Sequence, residues 1–139
     1  MTDLPFALEG GDALEAQPRM RVDDGVVFGV RGDVEAVFTV AWLEDPQARL
    51  DDVVEEELAR QLSAPGTLLV DAETTTLGGV DCVRTFVLDV GDGELVSASE
   101  QWRLLAAGRR WTITAVTVLP DQPAWGPRLA EVAATFRAT

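Results

Sequence analysis

Histidine, lysine, asparagine and tyrosine are absent from this chain of 139 residues, and cysteine occurs once. Without histidine there is no Ser-His-Asp or Cys-His arrangement and no imidazole metal site, which removes the commonest hydrolase and zinc templates. Cys82 has no second cysteine to bridge and no histidine to activate it, so it is expected as a small apolar strand residue in a reducing compartment. The missing lysines carry no physical message. Arginine supplies all 11 cationic side chains, isoleucine stands only at position 113, and Ala, Val, Gly and Asp abound, a bias of GC-rich coding.

Positive charge is scarce as well. With 24 acids against 11 bases the net charge is -13, and the sequence pI is near 4.2. Phosphate binding needs a basic patch, and the adjacent Arg109 and Arg110 are the only basic cluster, so nucleic acid is excluded as a partner. An anionic membrane surface repels such a chain, and no apolar run approaches the roughly 20 residues of a transmembrane helix. The opening Met-Thr-Asp-Leu-Pro-Phe has neither a basic nor an apolar leader segment, so the expected location is cytoplasmic. No cofactor or metal is expected; Asp89, Asp92 and Glu94 carry fragments of a calcium loop without its remaining spacing.

What is present specifies a globular domain. A chain of this size buries about two thirds of its unfolded surface, so residues 1–139 are expected as one domain. Residues 1–25 read as an irregular lead-in in which Leu4, Phe6 and Leu8 alternate like a short edge strand. Strands at 26–30 and 35–44 form a hairpin joined at Gly32-Asp33, with Ala36, Phe38, Val40 and Trp42 on one face. Arg31-Gly32-Asp33 matches an adhesion tripeptide, but Gly-Asp is ordinary turn chemistry.

Asp45-Pro46 predicts a helix over 46–63, with Asp45 as N-cap and Pro46 at the first position. Leu50, Val53, Val54, Leu58 and Leu62 mark its apolar side, and Pro65-Gly66 stops it. Asp51, Asp52, Glu55, Glu56 and Glu57 read as its solvated face. A second helix, 122–136, presents Leu129, Val132, Ala133 and Phe136 at helical spacing, with Trp125 one turn earlier.

Between the helices come strands at 67–77, 80–90 and 94–106 and a last one ending at 119. Their turns are Gly78-Gly79, Gly91-Asp92-Gly93 and Ala107-Gly108. If the first and last are two-residue loops and the middle one three, four-strand rows follow. Leu77, Val80, Leu104 and Trp111 align, then Thr75, Cys82, Trp102 and Ile113, then Glu73, Arg84, Glu100 and Ala115. The third row is ionic. The opposite face collects Val87, Val118, Thr85, Val116, Val83 and Thr114, so both faces need cover. The fold class expected is α+β: a three-layer α/β/α sandwich with a central, mainly antiparallel sheet and two main helices.

The order of Leu77-Gly78-Gly79-Val80-Asp81-Cys82-Val83-Arg84, Glu100-Gln101-Trp102, Gly108-Arg109-Arg110-Trp111-Thr112-Ile113-Thr114-Ala115 and Ala134-Thr135-Phe136-Arg137 resembles PsbP-like domains. The resemblance covers about residues 26–139. It implies the same sandwich and, usually, protein binding without catalysis, although fold alone does not fix function.

The function expected is therefore a non-enzymatic, cytoplasmic protein-interaction or chaperone-like domain whose partner is another protein. Its candidate binding residues are Trp102, Trp111 and Trp125, as an aromatic surface, and the row Glu73, Arg84 and Glu100. The alternative is a small-molecule-binding protein or enzyme using a sheet-helix cavity of about 300 Å³ or more floored by that row. Arg84 between two acids favours an ion-paired triad, because an adjacent cation lowers carboxylate pKa values and makes poor general acids.

Overall fold

A computed structural model describes residues 4–90 and 95–139. In chain order the elements are β1 (Phe6–Ala7), β2 (Met20–Val22), β3 (Gly25–Val30), β4 (Asp33–Glu44), α1 (Leu50–Ser63), β5 (Thr67–Leu77), β6 (Val80–Asp89), β7 (Ser97–Ala106), β8 (Arg109–Val118), a 3-10 turn (Leu119–Asp121), α2 (Gln122–Ala134) and β9 (Arg137–Ala138). Seven strands build one antiparallel sheet in the order β2-β3-β4-β8-β7-β6-β5, and β1 pairs with β9 in a separate ribbon. The β7–β8 hairpin lies inside the sheet because β4 pairs along β8, Trp42 opposite Trp111 and Phe38 opposite Ala115.

One sheet face carries the main core. Phe38 and Val40 of β4, Trp102 and Leu104 of β7, and Trp111 and Ile113 of β8 pack with Leu129, Val132 and Ala133 of α2. Helix α1 packs against β5 and β7. It lies on the opposite face, where Val53 is buried with Val83, Thr85 and Val87. The chain is the three-layer sandwich with a central antiparallel sheet.

The two-residue tips hold at both ends. Ala107 and Gly108 take φ of 55° and 73°, Gly78 and Gly79 take 59° and 83°, and Leu104 faces Trp111 as Leu77 faces Val80. The Gly91-Asp92-Gly93 turn and Glu94 lie outside the described residues. Asp89 pairs with Ser97, however, so β6 is displaced by two residues along β7 from the expected register: Cys82 opposes Leu104, Arg84 opposes Trp102 and Phe86 opposes Glu100. An even shift leaves every side chain on its expected face. Past Asp71, a bulge at Val70 places Leu68, not Leu69, against Leu88.

Helix α1 starts at Leu50, four residues later than expected, with Arg49 as N-cap and no side-chain cap bond. Asp45-Pro46 instead opens a turn, in which the Ala48 N–H donates to the Asp45 carbonyl at 3.2 Å. Asp at the first and Pro at the second turn position serve a tight turn as well as a helix start. The lead-in contributes to the core through Phe6, Ala13 and Leu14, all buried. On α1, Glu57 departs from the solvated acidic face and is buried.

Candidate functional site

Arg84 of β6 collects three carboxylates on the α2 side of the sheet. Its Nε donates to Glu100 of β7, and its Nη1 lies 3.2 Å from Asp71 and 3.5 Å from Glu73 of β5. Glu73 stands directly across from Arg84, while Glu100 reaches it diagonally, so the triad forms despite the shifted register and gains Asp71 as a fourth member. Glu100 is nearly buried; Glu73 and Asp71 are more than half exposed. Burial pulls the Arg84 pKa down, but the hydrogen bond and charge of Glu100, with Asp71 and Glu73, raise it above its ordinary value. Arg84 is thus a fixed cation.

Among the described residues, the space that borders Glu100 of this row is too small for a ligand. The space between Glu100, Thr117, Phe86 and the α2 residues Gln122, Gly126 and Leu129 is about 10 Å³, room for about one water molecule. Beside the row, Cys82 is fully buried, and burial first, then the charges of Asp81 and Glu73, push its pKa up to about 11. A thiol in that state is a packing group.

The tryptophans do not form an aromatic surface. Trp102 is 4 % and Trp111 1 % exposed, because the hairpin face that carries them is roofed by α2 and the chain termini. Trp111 donates its indole N–H to the Ala106 carbonyl at 2.9 Å and packs against Phe136, Trp42 and Phe6 at centroid distances of 4.9, 5.6 and 6.0 Å. Trp125 is apart from them and partly exposed, with the Arg128 guanidinium 4.4 Å above its ring. Of the expected aromatic patch, Trp125 alone reaches the surface.

Sequence reasoning missed the polar network on the α1 side. Arg103 of β7 pairs with Glu57 of α1 at 2.8 Å, both buried. Glu57 also accepts from Gln61 at 2.7 Å and meets Arg60 at 3.2 Å, while Arg103 donates to Gln101 and, at 3.4 Å, to the Thr85 hydroxyl. Burial lowers the Arg103 pKa to about 10, against the pull of Glu57 and with Arg60 and Arg110 adding to the fall; the group stays cationic at neutral pH. The signal was phase: Glu57 is four residues beyond Val53, in the apolar stripe, and Arg103 alternates with Trp102 onto the other face.

Among the described residues, the same face is open over β2, β3, β4 and the near part of β8. Alternation directs Val22, Ala41, Leu43 and Thr112 there, opposite to buried Val40 and Trp111. Met20, Val22 and Leu43 are each more than half exposed. Between this strip and α1 runs a groove of about 450 Å³, bordered by Glu56, Arg60 and Arg110, with Arg110 paired to Glu56 at 2.7 Å. At one end of the sheet the neighbouring Asp33 raises the pKa of the Asp121 carboxyl, first by favouring its protonated form as a hydrogen-bond donor, with the charge of Glu35 adding to the rise.

No family model matches the sequence, and no curated protein matches it. Solved structures do share the fold. Cyanobacterial PsbP (CyanoP) from Synechocystis sp. PCC 6803 superposes with a TM-score of 0.65 at 16% identity, over 97% of this chain and 87% of that one. The Saccharomyces cerevisiae Ran-binding protein Mog1p gives 0.64 at 12%, over 96% and 90%. PA94 from Pseudomonas aeruginosa, a protein of unknown function, gives 0.68 at 18%, over 86% of each chain. The chain has the PsbP-like fold.

Proposed function

We propose that this chain is a non-enzymatic protein-interaction domain of the cytoplasm, which holds an apolar segment of a protein partner against the open half of its sheet. The observation that carries the reading is the strip of exposed Met20, Val22 and Leu43 beside the α1 groove, where, among the described residues, the part of this sheet face beyond α1 has no covering element. Large exposed apolar patches rimmed by polar groups mark interaction surfaces. The groove supplies such a rim through Glu56, Arg60 and Arg110. A protein of this fold that is named for binding Ran supports the class of activity without naming this chain's partner.

Capture from a lysate of the native host, with wild type compared against Val22→Glu and Leu43→Glu, tests the site. Both positions are exposed, so the variants fold. The expected result is a protein retained by wild type and lost by both variants; an identical set of retained proteins refutes the assignment.

A further inference from the structure

We infer that the free edge of β5 takes an extended, cationic segment of a partner protein as an eighth strand of the sheet. The inference rests on the interaction reading and places a contact away from the open face. β5 is the last strand in the sheet order and has 11 residues, whereas β2 at the other edge has three. Residues 70–76 are all exposed.

The direction of the edge groups follows from the turn. A two-residue turn with positive φ at both glycines makes Leu77 and Val80 a hydrogen-bonded pair, and antiparallel pairs alternate. Ala72, Thr74 and Thr76 therefore point their N–H and C=O groups away from β6. Among the described residues, no backbone hydrogen bond outside the sheet ladders involves residues 67–77. Edges are ordinarily blunted by shortness, proline, lysine or a covering helix. β5 is long and has neither proline nor lysine; α1 packs over part of one face, a bulge lies at Val70, its charged side chains are the acids Asp71 and Glu73, and the strand runs in regular register from Asp71 to Leu77 through three consecutive threonines.

Charge selects the occupant. The row beside this edge contains Asp71, Glu73 and Glu100 against Arg84 alone, an excess of two negative charges. An added strand sets its side chains next in the same row, and two cationic residues at alternate positions neutralise it. A second copy of this chain brings β5 acids against β5 acids on a molecule of net charge -13, so self-pairing is opposed. Along the same edge, a groove of about 360 Å³ with Leu50, Thr74, Thr76 and Asp81 in its walls receives the intervening side chains.

The test is amide hydrogen exchange, read by NMR on the full chain, with a synthetic nonapeptide alternating arginine and valine and a control with glutamate for arginine. The arginine peptide is expected to slow exchange at Ala72, Thr74 and Thr76 about tenfold or more at saturation, and added salt weakens it. Asp71→Asn with Glu73→Gln lowers its affinity about fivefold. Thr74→Pro removes one outward N–H and abolishes the protection; if that variant unfolds, the double acid variant carries the test. Equal binding of the glutamate peptide, or no protection on β5 at millimolar peptide, overturns the inference. Protection at residues 37–43 instead also overturns it while leaving the interaction reading standing.

Discussion

Glu57 of α1 and Arg103 of β7 are joined across the helix-sheet interface at 2.8 Å, with side chains 3 % and 8 % exposed. The pair pins α1 to a sheet face that has few other apolar contacts for it, since Val53 is the one buried apolar residue of that helix. Removing one partner strands the other charge in a dry interface. Glu57→Ala is expected to cost about 3 to 5 kcal/mol in urea unfolding, and Glu57→Leu with Arg103→Met far less than the sum of its single changes. Additive losses in the double-mutant cycle contradict the pairing.

The Arg84 row should divide unequally. Glu100 is the enclosed partner, so Glu100→Gln is expected to cost about 1.5 to 3 kcal/mol, as for a charged hydrogen bond. Glu73→Gln and Asp71→Asn each cost under about 0.5 kcal/mol, because solvent screens exposed pairs. Chemical denaturation of the three variants distinguishes them, and equal losses mean the row is not built around Glu100.

Cys82 should be silent toward thiol reagents. It is fully buried and its thiol is held protonated by a pKa near 11, so labelling at pH 8 should proceed only through unfolding. The labelling rate should follow the unfolding equilibrium as urea is added. Fast labelling of native protein refutes the burial.

Asp33 raises the pKa of the Asp121 carboxyl above its ordinary value, by favouring its protonated form as a hydrogen-bond donor and by repelling its charge. A carboxyl raised in the folded state contributes stability that is fully present below its unfolded pKa and is lost as pH rises through the folded value. Asp121→Asn should therefore match wild type in strong acid and gain on it as pH climbs past that window. Parallel melting-temperature curves for the two from pH 3 to 7 contradict the coupling.

Parity was legible in the sequence, and register only where glycine fixed it. Gly78-Gly79 and Ala107-Gly108 favour two-residue loops, from which Leu77 against Val80 and Leu104 against Trp111 follow. The connection from β6 to β7 runs from Asp89 to Ser97, longer than its Gly-Asp-Gly signal, and a loop's length is not coded by its turn residues. The Arg84 cluster survived that error because long side chains reach diagonal neighbours. Glu57 escaped notice for a different reason: five acids in seven positions look like one solvated surface, and only the position of Arg103 on another element distinguishes the buried member. The tryptophan surface failed because a hairpin face gives no sign, by itself, of what roofs it.

The ribbon of β1 and β9 has a mechanical meaning. Phe6 pairs with Ala138 and Ala7 with Arg137, and Thr139 donates to the Pro5 carbonyl at 2.9 Å, so the chain is closed near both ends by an antiparallel clasp two residues long. Tension applied at positions 4 and 139 loads these bonds in sequence, as a zipper, and not together in shear. The clasp opens first, uncovering Phe6 and Phe136 against Trp111 while the seven-stranded sheet still bears no load.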